Sequence, residues 1–297
     1  MNKIISLGSL NIDQVFRLPH ALRVGETMTS LAFTTGSGGK GANQSIAAAR
    51  AGAEVWHAGK IGRDGGMLID TLHAAGVDTR LLEESDEVPS GRAVVLVNPA
   101  GNNSIVLFPG ANHALDSISL DRIIAAGAPG DILMMQNETN MISEAMRRGK
   151  AAGLRLAFNF APFDANAEYP LELVDYLFLN EIEGEGLSGE SDPWRMYERL
   201  RVRFPRAETV LTLGPRGSLG WEPGGAAVEV PAPEVEVVDT TAAGDTFIGY
   251  FLFWRMSGAR LNAALSEASV AASLCCTRRG AGEAIPTAAE VDAFAGR

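Results

Sequence analysis

The stretch Val238-Asp239-Thr240-Thr241-Ala242-Ala243-Gly244-Asp245-Thr246-Phe247 places two carboxylates and a run of small residues directly before an apolar segment that continues to Trp254. This composition is typical of a buried helix with Asp245 in its first turn. The first turn of a helix carries unpaired N–H groups and a partial positive charge, and Ala-Ala-Gly leaves those groups open to an anion. These residues predict an active-site floor where a phosphate group docks beside a carboxylate, although Asp and Thr are also ordinary helix caps.

Short apolar runs alternate with helix-like segments through most of the remaining chain. Strands are predicted at residues 4–7, 55–58, 132–136, 155–159, 176–179 and 209–213, and helices at 42–51, 66–75, 116–126 and 143–152. Almost wholly apolar strands that are separated by helices indicate a mainly parallel sheet covered on both faces. The predicted fold is therefore a three-layer α/β/α domain.

Residues 11–35 and 92–108 interrupt this alternation with strand-like patterns that include polar side chains. Between two of these strands, Asn98-Pro99-Ala100-Gly101-Asn102-Asn103 is a hairpin turn signal. We expect a small β-sheet lid that folds against the main domain, because the chain has no repeat, low-complexity segment or long linker. At 297 residues, one domain spanning 1–297 is near the upper size for a single hydrophobic core.

Composition narrows the classes of partner. A formal net charge of −11 argues against binding to nucleic acid or to an anionic membrane, although a nucleotide needs only a local site. No apolar run reaches the roughly 18 residues of a membrane span, and the N-terminal apolar run is too short for a secretory signal. The adjacent Cys275 and Cys276 are expected to be reduced core residues, so we expect a cytoplasmic protein.

The glycine-rich segment Gly36-Ser37-Gly38-Gly39-Lys40-Gly41-Ala42-Asn43-Gln44 contains G-x-G-x-x-G before a predicted helix, which leaves an NAD-dependent oxidoreductase open. Against that alternative, an earlier strand and some thirty residues precede the segment, and Lys40 is awkward in a pyrophosphate turn. A Walker A loop is excluded because Gly41 stands where Ser or Thr is required. We favour a site for a hydroxyl-rich ligand with Lys40 and Asn43 as donors, and a simple tight turn is the alternative.

Three further polar segments follow or adjoin predicted strands. Asn11 and Asp13 share a side of an extended chain and can grip vicinal hydroxyl groups. Asn180-Glu181-Ile182-Glu183 comes directly after a strand, so its polar groups face the ligand crevice and Glu183 can hold Mg²⁺ through water. Thr212-Leu213-Gly214-Pro215-Arg216-Gly217 places glycines where a nucleotide can approach the backbone. The structural alternatives are turn capping for Asn11 and Asp13, a helix start for 180–183 and a β-turn for 212–217.

Taken together and in this order, these segments resemble the ribokinase family, the PfkB-type carbohydrate kinases. The resemblance covers essentially the whole chain and rests on Asn11-x-Asp13, Gly25-Glu26-Thr27, Gly38-Gly39-Lys40-Gly41-Ala42-Asn43-Gln44, Asn180-x-x-Glu183, Thr212-Leu213-Gly214 and 239–247. It implies a β lid and ATP-dependent phosphorylation of a sugar hydroxymethyl group. Ribose is the favoured substrate because Gly-Gly-Lys-Gly-Ala-Asn-Gln is intact. Fructose, a ketodeoxy sugar acid or a nucleoside is the alternative, because Asn159-Phe160-Ala161-Pro162 departs from the Asn-Pro-Ala-Pro of close ribokinases.

The resemblance also implies roles for individual residues. Asp245 is the implied general base, and the N–H groups of Ala242, Ala243 and Gly244 form the implied anion hole. The implied sugar ligands are Asn11, Asp13, Gly39, Lys40, Asn43 and Glu138, and the implied ATP contacts are Asn180, Thr212, Gly214 and Gly217. Glu183 is implied to organise Mg²⁺ indirectly.

The resemblance further implies a monovalent cation, K⁺, beside the anion hole. The matching positions are Asp239, Thr241, Cys275, Arg278 and Gly280. Ala284 stands where ribokinases commonly have Ser, so one hydroxyl ligand is missing. The expected partners are a small sugar, ATP and a second copy of the chain, because the edges of a lid sheet can pair to form a homodimer.

Overall fold

The structure is a computed structural model that describes residues 2–101 and 103–296. In chain order the strands are β1 (Ile4–Leu7), β2 (Asn11–Arg17), β3 (Ala32–Gly38), β4 (Val55–Gly62), β5 (Asp78–Ser85), β6 (Gly91–Val97), β7 (Asn103–Phe108), β8 (Ile132–Gln136), β9 (Arg155–Asn159), β10 (Tyr176–Asn180), β11 (Glu208–Thr212), β12 (Ser218–Trp221) and β13 (Val228–Val230). The helices are α1 (Lys40–Ala51), α2 (Gly66–Ala74), α3 (Ser117–Ala125), α4 (Ile142–Ala151), α5 (Glu181–Ser188), α6 (Pro193–Arg203), α7 (Ala243–Met256), α8 (Leu261–Cys276) and α9 (Ala288–Phe294).

The larger sheet is mainly parallel. Within the described ranges it has nine strands in the order β13-β12-β11-β10-β9-β8-β1-β4-β5, and only the pairings of β12 with β11 and β13 are antiparallel. Every residue of β1 and β8 is buried, as expected for central strands covered on both faces. The three-layer prediction is confirmed, and the strands predicted at 4–7, 132–136 and 155–159 have the bounds that the structure shows.

Two hydrophobic cores lie on opposite faces of this sheet. Along β1, Ile4 belongs to the core under α1, α7 and α8, whereas Ile5 and Leu7 belong to the core under α3, α4 and α6. This alternation follows from the two-residue period of a strand. Phe178 meets Phe251 of α7 edge to face, with ring centroids 5.5 Å apart. Each such buried side chain contributes about 1.5–3 kcal/mol of transfer free energy, which holds α7 against the sheet.

The smaller sheet comes from the two segments that interrupt the alternation. Its order is β3-β2-β6-β7, with antiparallel outer pairs and a parallel β2–β6 pair. Val97 lies opposite Asn103, which closes the predicted hairpin; Asn102 of that turn signal lies outside the described residues. Because β2 begins at Asn11, shortly after β1 ends at Leu7, this sheet stands over the carboxyl edge of the central strands.

No helix in the parts of the chain described here is both long enough and apolar enough to cross a membrane.

Candidate active site

The start of α7 forms the floor of the site. Ala242, its N-cap, has φ 61°, a left-handed conformation that costs a non-glycine residue about 1–2 kcal/mol. In residues 2–101 and 103–296, the N–H groups of Ala242 and Gly244 have no acceptor, and that of Ala243 makes only a long 3.3 Å bond to the Thr240 carbonyl. The turn therefore leaves donors available to an anion, at the residues for which the sequence predicted them.

Asp245 lies in the first turn of α7 and is buried, with 7% of its surface exposed. Its Oδ2 accepts a hydrogen bond from Asn43 Nδ2 at 3.0 Å, and its Oδ1 accepts one from Gln44 Nε2 at 2.9 Å. Burial raises the pKa of the carboxyl, while the Lys40 ammonium and these two amides oppose the rise. The group is thus a proton acceptor held in a fixed orientation.

Lys40 and Glu138 face Asp245 from the glycine-rich segment and the loop after β8. The Lys40 N–H donates to Glu138 Oε2 at 3.1 Å, and the Ser9 hydroxyl donates to the same oxygen. The carboxylate of Asp245 is the main cause of a raised pKa of the Lys40 ammonium; Glu138 and Glu183 add to the rise and burial opposes it. Lys40 is therefore charged and can neutralise a phosphoryl group between these carboxylates.

Asn11 and Asp13 occupy alternate positions of β2 and thus the same face of the smaller sheet. Asn112 Nδ2 donates to Asn11 Oδ1 at 2.8 Å. Asp13 Oδ1 is buried and has no hydrogen-bond partner among the residues that the structure describes. Burial, with Glu138 and Glu283 nearby, raises the pKa of Asp13 to about 7. An unpaired buried acceptor on this face is suited to receive a hydroxyl group from a ligand.

A cleft of about 870 Å³ adjoins the start of α7. Asn180, Thr212 and Gly244 line both this cleft and a cavity of about 190 Å³ that is also lined by Lys40 and Asp245, so the two spaces adjoin. Gly214 and Gly217 also line the larger cleft and have φ of 56° and 97°, which favours glycine at both positions. All four predicted ATP contacts therefore lie on one cleft that leads to Asp245.

Asn180 and Glu183 form a capping box at the start of α5. Glu183 N–H donates to Asn180 Oδ1 at 3.0 Å, and Asn180 N–H donates to Glu183 Oε2 at 2.8 Å. The helix-start alternative is therefore correct, because Asn180 Oδ1 and Glu183 Oε2 cap α5. Both residues nevertheless also line the 190 Å³ cavity. Within the described chain no group of three or more His, Cys, Asp or Glu side chains could hold a metal ion. Magnesium in kinases needs only one or two carboxylates beside substrate phosphates, and Glu183 fits that requirement.

Asp239 organises the loop that the resemblance assigns to K⁺. Its Oδ1 accepts hydrogen bonds from the backbone N–H and the hydroxyl of Thr241, at 2.9 and 2.7 Å, and its Oδ2 accepts one from Gly280 N–H at 3.2 Å. Burial favours a higher pKa of Asp239, but these bonds outweigh it, so the pKa is lowered and the carboxylate stays ionised. The thiol of Cys275 lies 3.7 Å from the Thr241 carbonyl.

Arg278 and Ala284 limit what the same loop can offer a cation. The Arg278 guanidinium pairs with Glu290 at 2.8 Å, so only its backbone carbonyl is available as a ligand. Ala284 is buried and has no hydroxyl. Carbonyl oxygens and one ionised carboxylate remain, and these oxygen donors are suitable for a hard monovalent cation.

The glycine-rich segment lies between the last residues of β3 and the start of α1. Gly36 and Gly38 belong to β3, and only Gly39, with φ 95°, turns the chain into α1. The segment thus connects the smaller sheet to a helix, whereas a dinucleotide-binding turn connects a strand of the parallel sheet to a helix. The oxidoreductase alternative does not fit this connection.

Several groups at the site were not predicted. Ser9 donates a hydrogen bond to Glu138, Gln44 donates one to Asp245, and Gln136 donates one to Gln44. Residues 232–235 and 237 form one wall of the large cleft. Gln44 stood next to a predicted ligand, Asn43, but nothing in its spacing pointed to Asp245. The wall residues have no periodic pattern and were therefore not assigned.

The sequence profile of the pfkB family carbohydrate kinases matches residues 1–288. Ribokinase from Haemophilus influenzae is 34% identical over 296 residues, which cover 97% of this chain and 96% of that protein. The crystal structure of ribokinase from Cryptococcus neoformans in complex with ADP is similar with a TM-score of 0.86 and 34% identity, and covers 98% of both chains. The structure of Arabidopsis thaliana ribokinase complexed with ribose and ATP has a TM-score of 0.88 and 26% identity, and covers 99% of both chains. The chain belongs to the pfkB family of carbohydrate kinases.

Proposed function

We propose that this protein transfers the terminal phosphoryl group of ATP to the hydroxymethyl group of ribose. The observation that carries this proposal is the position of Asp245, a buried carboxylate where a nucleotide-sized cleft meets the polar groups of the glycine-rich segment. The relatives support the choice of substrates, because similarity to ribokinases extends over nearly the whole chain.

In the proposed reaction, Asp245 accepts the proton of the sugar hydroxyl group. The oxygen of that hydroxyl group forms a bond to the terminal phosphorus of ATP, and ADP leaves with the electron pair of the broken P–O bond. Lys40 and the N–H groups of Ala242, Ala243 and Gly244 stabilise the charge on the transferred group. The sugar is held by a set of polar groups on β2, α1 and the loop after β8, namely Asn11, Asp13, Gly39, Lys40, Asn43 and Glu138.

We infer that ATP occupies the cleft of about 870 Å³, against Asn180, Thr212, Gly214 and Gly217. Glu183 holds Mg²⁺ through water, which supplies charge neutralisation at the phosphates. Potassium is held by Asp239 with the carbonyl groups of Thr241, Cys275, Arg278 and Gly280. The oxygen atoms of the loop beside the anion hole support this assignment of K⁺. The use of ATP supports a cytoplasmic location of the protein.

The substrate and the cation are tested together by a coupled assay of ADP release. Ribose, 2-deoxyribose, fructose, a ketodeoxy sugar acid and a nucleoside are each supplied with ATP and Mg²⁺, in KCl or in LiCl at equal ionic strength. We expect the highest kcat/KM for ribose and a faster reaction in KCl. A higher kcat/KM for another acceptor would replace ribose, equal rates in both salts would reject the cation site, and no stimulation by any acceptor would contradict the reaction itself.

We also propose that the chain acts as a single domain, with 11–35 and 92–108 as a lid, and that two copies pair through this lid. By the strand register, Val15, Val95, Ile105 and Leu107 share the face that carries Asp13. Residues Ile105 and Leu107 are 53% and 49% exposed, and exposed apolar residues on one face are typical of a protein–protein interface.

The pairing has a direct test in sedimentation equilibrium. We expect twice the mass of one chain at micromolar concentration for the wild type, and a shift toward the mass of one chain for Ile105→Glu, because the new charge would be buried without a partner. The matched control is Ile118→Glu, at a residue that is 81% exposed on α3. A wild type that sediments as one chain would reject the dimer and leave the kinase reaction in place.

A further inference from the structure

We propose that Gln136 and Gln44 form an amide relay that positions the carboxylate of Asp245 for proton transfer. Gln136 ends β8, Gln44 lies in the second turn of α1, and Asp245 lies in the first turn of α7. Both glutamines act through Asp245, because neither lines the two cavities at the site. They are positioning residues, and the proposal rests on the role of Asp245 as proton acceptor.

The chemistry of the groups sets the direction of every bond in the relay. Gln44 Nε2 lies 2.9 Å from Asp245 Oδ1, and Gln136 Nε2 lies 2.8 Å from Gln44 Oε1. An ionised carboxylate only accepts, so Gln44 must present its amino group to Asp245 and its carbonyl to Gln136. Gln136 must then donate. Each amide therefore has one orientation that satisfies its neighbour, and Gln136, whose Oε1 has no hydrogen-bond partner among the described residues, supports the orientation in which Gln44 donates to Asp245.

Close packing keeps the relay in place. Gln44 and Gln136 are both fully buried, with 0% exposed surface. A Cβ at Gly8 would overlap Gln136 Oε1 and lie 2.5 Å from the Cα of Gly41, so only glycine leaves room for the amide between β1 and α1. The relay thereby ties Asp245 to a central strand of the sheet, which is more rigid than the loop that precedes α7.

The relay complements the bond from Asn43. Asn43 Nδ2 holds Asp245 Oδ2 at 3.0 Å, and Gln44 holds the other oxygen, so the plane of the carboxylate is set by two donors. Asn43 belongs to the proposed sugar site, whereas Gln44 lines neither cavity and donates its hydrogen bond to Asp245. Hydrogen bonds to the ionised form also lower the pKa of the carboxyl and favour the carboxylate, opposing the effect of burial. The other groups that act on it are Lys40 and Glu138, and the charge of Asp245 in turn acts on the Cys275 thiol.

Two variants test the relay at different distances from Asp245. Gln44→Leu removes the donor, and we expect kcat to fall about 10- to 100-fold, the range for a hydrogen bond to a charged group. The acidic limb of the kcat–pH profile should move to higher pH by about one pH unit, because loss of this bond raises the pKa of the carboxyl. KM for ribose should change by less than about threefold, because Gln44 does not line the sugar site.

Gln136→Glu is the sharper variant, because it is nearly isosteric and does not touch Asp245. A carboxylate at 136 cannot donate, so the Gln44 amide is expected to rotate, give its amino group to Glu and turn its carbonyl toward Asp245. The pH profile should move in the same direction as in Gln44→Leu. Gln136→Met, which has no polar group to rotate the amide, should move it less.

Ser45→Ala is the matched control, since Ser45 is buried on α1 beside Gln44 but bonds His57, at 2.7 Å. It should lower the melting temperature and leave the pH profile in place. Carboxyl ¹³C NMR of Asp-labelled protein, with Asp245→Asn to identify the resonance, reads the pKa of Asp245 directly and needs no turnover. If the pKa of Asp245 read from this resonance were the same in Gln44→Leu, Gln136→Glu and the wild type, the relay would be overturned. Near-normal turnover in Asp245→Asn would instead contradict the base itself, so the two failures are distinguishable.

Discussion

Asp245→Asn is expected to lower kcat by about 10²- to 10⁴-fold, the usual contribution of a positioned general base. Asparagine has nearly the same shape but cannot accept the hydroxyl proton, while Lys40 and the N–H groups at the start of α7 remain. KM for ribose and ATP should stay within a few-fold, because most of the binding groups are unchanged. The rate of ADP release and calorimetric binding of ribose measure the two quantities separately.

The control for this variant is Asp86→Asn, at an exposed carboxylate that pairs with Arg63 on the surface. It makes the same chemical change away from the site, and both kcat and KM should match the wild type. Melting temperatures of the two variants establish that each is folded. A kcat within tenfold of the wild type in Asp245→Asn would show that Asp245 is not the general base.

Gly38→Ala is expected to raise KM for ribose about 10- to 100-fold, which corresponds to the loss of a hydrogen bond to a charged group. A Cβ at Gly38 would overlap both carboxylate oxygens of Asp13. The carboxylate would have to swing away from the face on which Asp13 Oδ1 now has no partner within the described chain. Since Asp245 and the nucleotide cleft lie outside this contact, kcat at saturating sugar should fall much less than kcat/KM.

Gly36→Ala provides a matched control on the same strand. Gly36 and Gly38 both belong to β3, but a Cβ at Gly36 meets no atom within 4 Å. Alanine at 36 should therefore leave KM for ribose unchanged, within about twofold. Equal KM values for the two alanine variants would mean that Asp13 does not hold the sugar. Steady-state kinetics at varied ribose, with ATP saturating, distinguish these results.

The fold was predictable because its signals are local. Apolar runs of four or five residues between helical segments predicted strands such as 132–136 and 155–159 with the observed bounds. Other bounds differ: the strands predicted at 55–58, 176–179 and 209–213 are Val55–Gly62, Tyr176–Asn180 and Glu208–Thr212. Strand ends depend on cross-strand pairing as well as on composition, and Thr212 pairs with both Asn180 and Ser218 in the sheet.

The roles of the individual site residues stay predictions, and most of them rest on the resemblance to a known family. By composition alone, Asn180 and Glu183 were equally well explained as a helix start, and the structure shows that they do form a capping box while they line the cavity. The same residues serve both purposes, so local sequence could not separate the alternatives. Ser9 carried no signal at all, because its importance depends on contact with Glu138 after a separation of 129 residues.

The sequence by itself determined the layered fold and the stretch 239–247 as a helix start open to an anion, because periodicity, capping and first-turn donors are properties of neighbouring residues. Only the tertiary structure decided how the carboxylate in that stretch is held. Asn43 and Gln44 lie more than 200 positions from Asp245 in the chain, yet each donates to one of its oxygens. A hydrogen bond depends on distances and angles that packing sets to a fraction of an ångström, and no local pattern encodes them.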